Sequence, residues 1–141
     1  MGGARSSSGK MAISAHDPHS DGRVVFDLQE NDILNVHFSG DISLDFVIEA
    51  SDRIAEHLER GIRRILYDIG MSNPVFTPVS FLDQVRRLGR LGGSRARFCY
   101  LAPANMFTKH FMLIEAVAFN DGIQVKFLSD AAEARAWLAE T

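Results

Sequence analysis

The stretch from Ile65 to Leu91 restricts the fold most. It opens with Ile65-Leu66-Tyr67-Asp68-Ile69, whose first three residues form a continuous apolar run. A short run of this kind suits a strand covered on both faces. Gly70-Met71-Ser72-Asn73-Pro74 follows without hydrophobic periodicity and reads as a loop. Thr77-Pro78 then stands directly before a helical pattern. A Thr side chain can accept a bond from the first free helix amides, and Pro has its φ preset for the first turn, so this pair is a helix start. Strand, loop and helix N-terminus in this order form the repeating unit of an α/β sheet. Loops that leave the carboxyl ends of such strands commonly carry sites. The loop 70–77 and the start of this second helix are therefore the expected interaction surface, with Asp68, Gly70, Ser72, Asn73, Phe76, Thr77 and Ser80 as its residues.

The rest of the chain supplies neighbours for that unit. Residues 1–22 have almost no periodic apolar content and read as a disordered tail; Met1 to Lys10 resembles an added leader, with Met11 a native start. His16 and His19 lie in this tail and lack a third metal ligand. Residues 23–141 form one expected domain. Val24 to Gln29 and Ile33 to Ser39 read as a hairpin around Glu30-Asn31-Asp32, and Gly40-Asp41-Ile42-Ser43 ends it. Leu44, Val47, Ile48, Ser51, Ile54, Ala55 and Leu58 mark one face of a first helix over about 43 to 60, and Gly61 sits at its end. The central strand is expected over Ile62 to Ile69. The second helix runs from Pro78 to about Leu91, before Gly92-Gly93. A strand over Arg97 to Leu101 follows, then a third helix from Met106 to Phe119 that is apolar on more than one face. Ile123 to Leu128 alternates as a strand, and Ser129 is the expected cap of a last helix, Asp130 to Ala139, with Ala131, Ala134, Trp137 and Leu138 toward the sheet. The order ββαβαβαβα predicts a single α/β domain. Its sheet is expected to be five-stranded, mixed and mostly parallel, with about four helices.

Composition narrows the function classes. With 141 residues, one domain is the natural size, and a hydrophobic fraction of 46% is enough to build its core. A net charge of −3 gives no global pull toward nucleic acid or acidic lipid. No apolar run reaches the roughly 18 residues a membrane span needs, and no signal peptide is visible, so a cytoplasmic protein is expected. The single cysteine, Cys99, cannot form an internal disulfide and reads as a buried structural thiol.

Several local patterns, in this order, resemble the STAS domain of bacterial anti-sigma factor antagonists (SpoIIAA-like). They are Phe38-Ser39-Gly40-Asp41-Ile42-Ser43 before the first helix, Ile65-Leu66-Tyr67-Asp68-Ile69 on the central strand, and Phe127 to Leu138 at the end. The resemblance covers roughly residues 24 to 140. It implies a non-catalytic regulatory protein-interaction module. Its partner would be a regulatory protein such as an anti-sigma-factor-like kinase, which phosphorylates a Ser or Thr at the second-helix start. Here the family's acidic residue is replaced at Phe76, the aligned acceptor position falls on Pro78, and Thr77 is the neighbouring hydroxyl. Thr77 is thus the expected phosphorylation site, with Ser72 and Ser80 behind it.

Three further patterns are weighed beside this one. Arg86, Arg87, Arg90, Arg95 and Arg97 gather positive charge near the second helix with only Asp83 close in sequence. They suggest an acidic partner or a solvated face, and the aromatic interleaving is too poor for nucleic acid. The third helix, through Met106, Phe107, His110 and Phe111, is a candidate apolar ligand or partner face, with a lipid-like molecule between it and the sheet or a homodimer contact as the alternatives. No nucleophile elbow, metal-ligand spacing or Gly-rich phosphate loop appears, so no catalytic residue, metal or cofactor is expected. His37 and His110 read as packing residues inside apolar patterns.

Overall fold

The computed structural model describes residues 10–14, 21–29, 31–106 and 109–140. Its strands are β1 (Lys10–Ser14), β2 (Arg23–Leu28), β3 (Ile33–Ile42), β4 (Arg64–Pro74), β5 (Arg97–Leu101) and β6 (Gln124–Leu128). Its helices are α1 (Leu44–Glu59), α2 (Pro78–Gly92), α3 (Lys109–Asn120) and α4 (Ala131–Ala139). The six strands lie side by side in chain order. β1, β2 and β3 pair antiparallel, while β3, β4, β5 and β6 pair parallel. The α/β class and the four helices match the sequence reading. The sheet has one strand more than expected and is mixed, with two antiparallel and three parallel pairings, rather than mostly parallel. The additional strand is β1, which lies in the stretch expected to be a disordered tail. It pairs Met11 with Phe26 and Ile13 with Val24, so the alternation of β2 supplies a template that composition alone does not reveal. The remaining tail expectations, for residues 1–9 and 15–20 with His16 and His19, lie outside the described residues.

A sheet whose order never reverses keeps successive crossovers on one face. Phe46, Val47, Ala50 and Ile54 of α1, Val85 and Leu88 of α2, and Ile114 and Ala118 of α3 share one core with Val24, Phe26, Leu34, Val36, Ile65, Tyr67, Phe98, Tyr100 and Val125. The opposite face carries Ile33, Leu66 and Cys99, covered by Ala134 and Leu138 of α4. Three helices thus cover one face, and one short helix covers part of the other, over β4 to β6.

The helix ends follow local chemistry. Ser43 caps α1 by accepting from the Phe46 amide at 3.3 Å, and Gly61 takes up the positive φ of 101° beyond its end. Thr77 caps α2 with Pro78 in its first turn, as expected. For α4 the cap is Asp130, which accepts from the Glu133 amide at 3.1 Å, one residue beyond the expected Ser129; a carboxylate suits a helix N-terminus better than a hydroxyl. Met106, the expected start of the third helix, lies in a single tight turn over Ala104–Met106, and the described part of α3 spans Lys109–Asn120. At Gly89, α2 runs so close to Ile123 that an added Cβ would stand 2.5 Å from Ile123 Cδ1. Only glycine allows that approach.

Candidate functional site

The expected loop 70–77 is mostly strand. β4 continues through Pro74, and the loop shrinks to Val75, Phe76 and Thr77. Its sequence has poor strand propensity, but β3 is longer than expected and runs through Ile42. Ser39, Gly40, Asp41 and Ile42 therefore offer Met71, Ser72, Asn73 and Pro74 a parallel partner. Pairing overrides propensity here. The register shifts between His37 and Ser39, which leaves an extra residue on β4 near Gly70. The Ser72 hydroxyl donates to the Ile69 carbonyl at 2.7 Å across that bulge.

Strand alternation then divides the expected surface in two. Asp68 and Asn73 lie on the face that α4 covers in part, together with Met71. Asn73 Nδ2 donates to Asp41 Oδ1 at 2.9 Å, and Asp68 Oδ2 lies 3.1 Å from His37 Nδ1. Ser72 and Phe76 turn to the other side, where they line a cavity. Gly70 sits at the bulge, with Pro103 beside it. Thr77 and Ser80 stand at the mouth of α2, where Thr77 Oγ1 accepts from the Ser80 amide at 3.3 Å and lies 3.0 Å from the Ser80 hydroxyl. Thr77 is exposed and Ser80 half-buried. At this corner Met71 is 80% exposed and Val75 55%, so the end of β4 presents apolar side chains to water beside a hydroxyl cap. No acidic residue occupies the first turn of α2.

The cavity lies where Ser72 and Phe76 point. It holds about 50 Å³ and is walled by Phe38, Tyr67 and Tyr100 of the sheet, Ala50 and Ser51 of α1, Phe81 and Val85 of α2, and Phe111 of α3. The expected ligand space was between the third helix and the sheet; the cavity instead opens under α1 and α2, and Phe111 is the part α3 contributes. Of the other residues expected on that face, Met106 is half-buried in the preceding turn, while Phe107 and the side chain of His110 lie outside the described residues. Aromatic rings crowd the site. Tyr67 stacks on Tyr100 at 4.3 Å, Phe81 meets Tyr100 edge-on at 5.3 Å, and Phe76 approaches Phe81 at 6.0 Å. The Tyr67 hydroxyl is buried and without a hydrogen-bond partner. Tyr100 offsets part of the burial cost as a loose hydrogen-bonding neighbour of that hydroxyl, outside the geometry of a made hydrogen bond. Burial pushes both phenols well above their ordinary value.

Other residues depart from the sequence reading in instructive ways. His37 is not a packing residue: its side chain is 46% exposed and pairs with Asp68, its partner in the β3–β4 register. The signal was present as two polar residues at matching strand positions, but it became visible only with the register. Among the described residues no hydroxyl or thiol bonds to His37, and no three His, Cys, Asp or Glu side chains gather as a metal set. Arg86, Arg87 and Arg97 have acids distant in sequence. Arg86 Nε donates to Asp121 at 2.8 Å, Arg87 to Asp52 at 2.6 Å, and Arg97 lies 3.6 Å from Glu140 and 5.4 Å over the Trp137 ring. Cys99 is fully buried and its thiol is pushed up to about 12, chiefly by burial, with Lys126 lowering it and Glu115 raising it.

The strand order also bears on ligands. Doubly wound sheets bind nucleotides in the crevice where strand order reverses, and this order runs straight through. Among the described residues, no helix is long and apolar enough to cross a membrane. Compared with known proteins, the chain matches no protein-family model and no curated sequence.

Proposed function

We propose that this chain is a non-catalytic regulatory module, similar to the anti-sigma factor antagonists, that binds a partner protein at the corner where β4 meets α2. The observation that carries this reading is the exposure of Met71 and Val75 beside the exposed Thr77 cap. Apolar side chains held on a strand end lose little entropy on docking, and a polar rim around them favours specific contact. Asp68, Asn73 and the Thr77 hydroxyl supply that rim, and an anti-sigma-factor-like kinase is the partner class. Phosphorylation of Thr77 would add about −1.5 to −2 charges beside the free amides of α2, where the helix dipole favours them. It would leave the helix intact and change what a partner reads. Ser72 suits this role less, because its hydroxyl is committed to Ile69, and Ser80 is half-buried. A photo-crosslinking residue at Met71 tests the reading. It should label one regulatory protein, and Met71→Glu or Val75→Glu should abolish capture on an affinity column while leaving the fold intact. Capture unchanged in both variants would refute it.

A second reading is favoured by the unpartnered Tyr67 hydroxyl in the aromatic cavity. A compact, mostly apolar molecule with one polar atom would fit such a site. Native mass spectrometry of freshly purified protein tests it: a co-purifying small molecule supports a carrier, and a clean apo mass counts against one.

A further inference from the structure

Arginine gathers at the amino ends of the parallel strands. Arg64, Arg97 and Gln124 are the first residues of β4, β5 and β6 and stand in one register row. Arg63 precedes that row, and its carbonyl accepts from the Arg97 amide at 2.8 Å. Arg95 ends the single turn before β5. These four arginines line a groove of about 620 Å³ whose acids are Asp32 and Glu140. Four guanidinium groups thus face two carboxylates, in a chain whose net charge is −3. Of the two acids only Glu140 comes close, 3.6 Å from Arg97, and it is itself 62% exposed. Like charges at paired strand positions repel, and Arg64 and Arg97 are such a pair. An anion from outside would relieve that repulsion.

Two of these arginines also finish helices. Arg63 Nη1 donates to the Leu58 and Ile62 carbonyls at 2.7 and 2.9 Å, at the end of α1. Arg97 Nη1 donates to the Trp137 carbonyl in the last turn of α4, and its guanidinium lies 5.4 Å over the Trp137 ring. These bonds use one nitrogen of each side chain and hold it in place. Among the described residues, Nε and Nη2 of both make no hydrogen bond. Those N–H groups form the fork that grips two oxygens of an oxyanion, and an anchored fork loses little entropy when it does so. Arg64 has one long contact, 3.5 Å to the Asn31 carbonyl, and Arg95 is exposed. We infer that this groove binds a small anion carrying two linked phosphate groups. A lone carboxylate offers two oxygens and one charge, too little for guanidinium groups spread along two strand starts and a turn. A diphosphate presents oxygens on two centres and several charges. The groove's volume lies in the range of small-molecule sites. It sits at the start of β4, whereas the corner proposed for a regulatory partner is at that strand's end.

The test is a titration of the full chain with inorganic diphosphate. It is read by calorimetry and by the fluorescence of Trp137, the single tryptophan, whose ring lies under Arg97. Diphosphate should bind in the micromolar range and change that fluorescence, and sulfate at equal ionic strength should bind at least about tenfold more weakly. Arg64→Gln and Arg95→Gln should each weaken diphosphate binding at least about tenfold, and wild-type affinity should fall as salt rises. Neither side chain holds a helix end, so without ligand both variants should melt at or above the wild-type midpoint. Met71→Glu, at the corner proposed for the regulatory partner, should bind diphosphate as the wild type does, which separates the two sites. Adenosine diphosphate distinguishes the sources of the phosphate groups. Tighter binding than diphosphate assigns them to a nucleotide, and equal or weaker binding assigns them to the free anion. No binding up to millimolar diphosphate, sulfate binding as tightly, or affinity undiminished in both glutamine variants overturns the inference.

Discussion

Removing the Tyr67 hydroxyl should stabilise this protein, against the usual direction of core substitutions. Tyr67 is 4% exposed and its hydroxyl has no hydrogen-bond partner. A buried hydroxyl left unsatisfied costs about 1–3 kcal/mol relative to one in water. Tyr67→Phe removes that cost and keeps the ring, with its stack on Tyr100 at 4.3 Å and its contacts to Phe38 and Phe98 at 6.4 and 6.5 Å. The missing oxygen adds slightly to an apolar space that already measures about 50 Å³ and forfeits a few dispersion contacts, each about 0.1–0.2 kcal/mol. The balance favours the variant by about 1 kcal/mol, or roughly 2–4 °C in the thermal midpoint of a domain this size. Urea unfolding followed by circular dichroism, beside a thermal melt, measures it, and an unchanged m-value shows that the native and unfolded ensembles are otherwise alike. A loss of about 1 kcal/mol or more would refute the reasoning. It would mean that the hydroxyl is satisfied in solution by a water or ligand held in the cavity.

Three other outcomes are expected. Gly89→Ala should lose about 1–2 kcal/mol despite the better helix propensity of Ala, because its Cβ would overlap three atoms of Ile123; Ile123→Val beside it should recover part of that loss in a double-mutant cycle. Thr77→Ala should cost about 1 kcal/mol of stability by urea unfolding, and Thr77→Ser much less, since either hydroxyl can cap the Ser80 amide. The folded protein holds the Cys99 proton to about 12, above its ordinary value of 9.0, so it binds more protons than the unfolded chain in that window. Stability from this group is full below about pH 9 and falls as pH rises toward 12, a loss that Cys99→Ala should reduce, and the native thiol should resist an aromatic disulfide reagent at pH 8 until urea unfolds the chain.

Elements with strong local chemistry were legible in the sequence. Gly61 and the Thr77-Pro78 pair announced their helix ends because each satisfies a backbone need by itself. What pairing decides was hidden. Gly70 to Pro74 looks like a loop because nothing in it favours a strand, and only the partner residues Ser39 to Ile42 make it one. That error carried into the candidate surface. Treated as a loop, its residues share one side; as a strand they alternate, so Asp68 and Asn73 part from Ser72 and Phe76. The His37–Asp68 pair and the ion pairs of Arg86 and Arg87 stayed hidden for the same reason, since their partners are more than thirty residues away. The apolar excess of α3 was legible, but how it divides between core and solvent depends on where the sheet ends.

Strand order that repeats chain order has a consequence for how the molecule comes into being. Each strand pairs with the one made just before it, so no strand waits for a partner still to be synthesised. A nascent chain can extend its sheet one edge at a time, with α1, α2 and α3 each closing over the strands that flank it. Sequence-local pairing keeps the loops to be closed short, which lowers their entropic cost and speeds folding. The last helix, α4, then seals Leu66 and Cys99 on the opposite face. Until it does, a growing chain exposes that apolar strip, and release before residue 131 would leave it open to unwanted contacts.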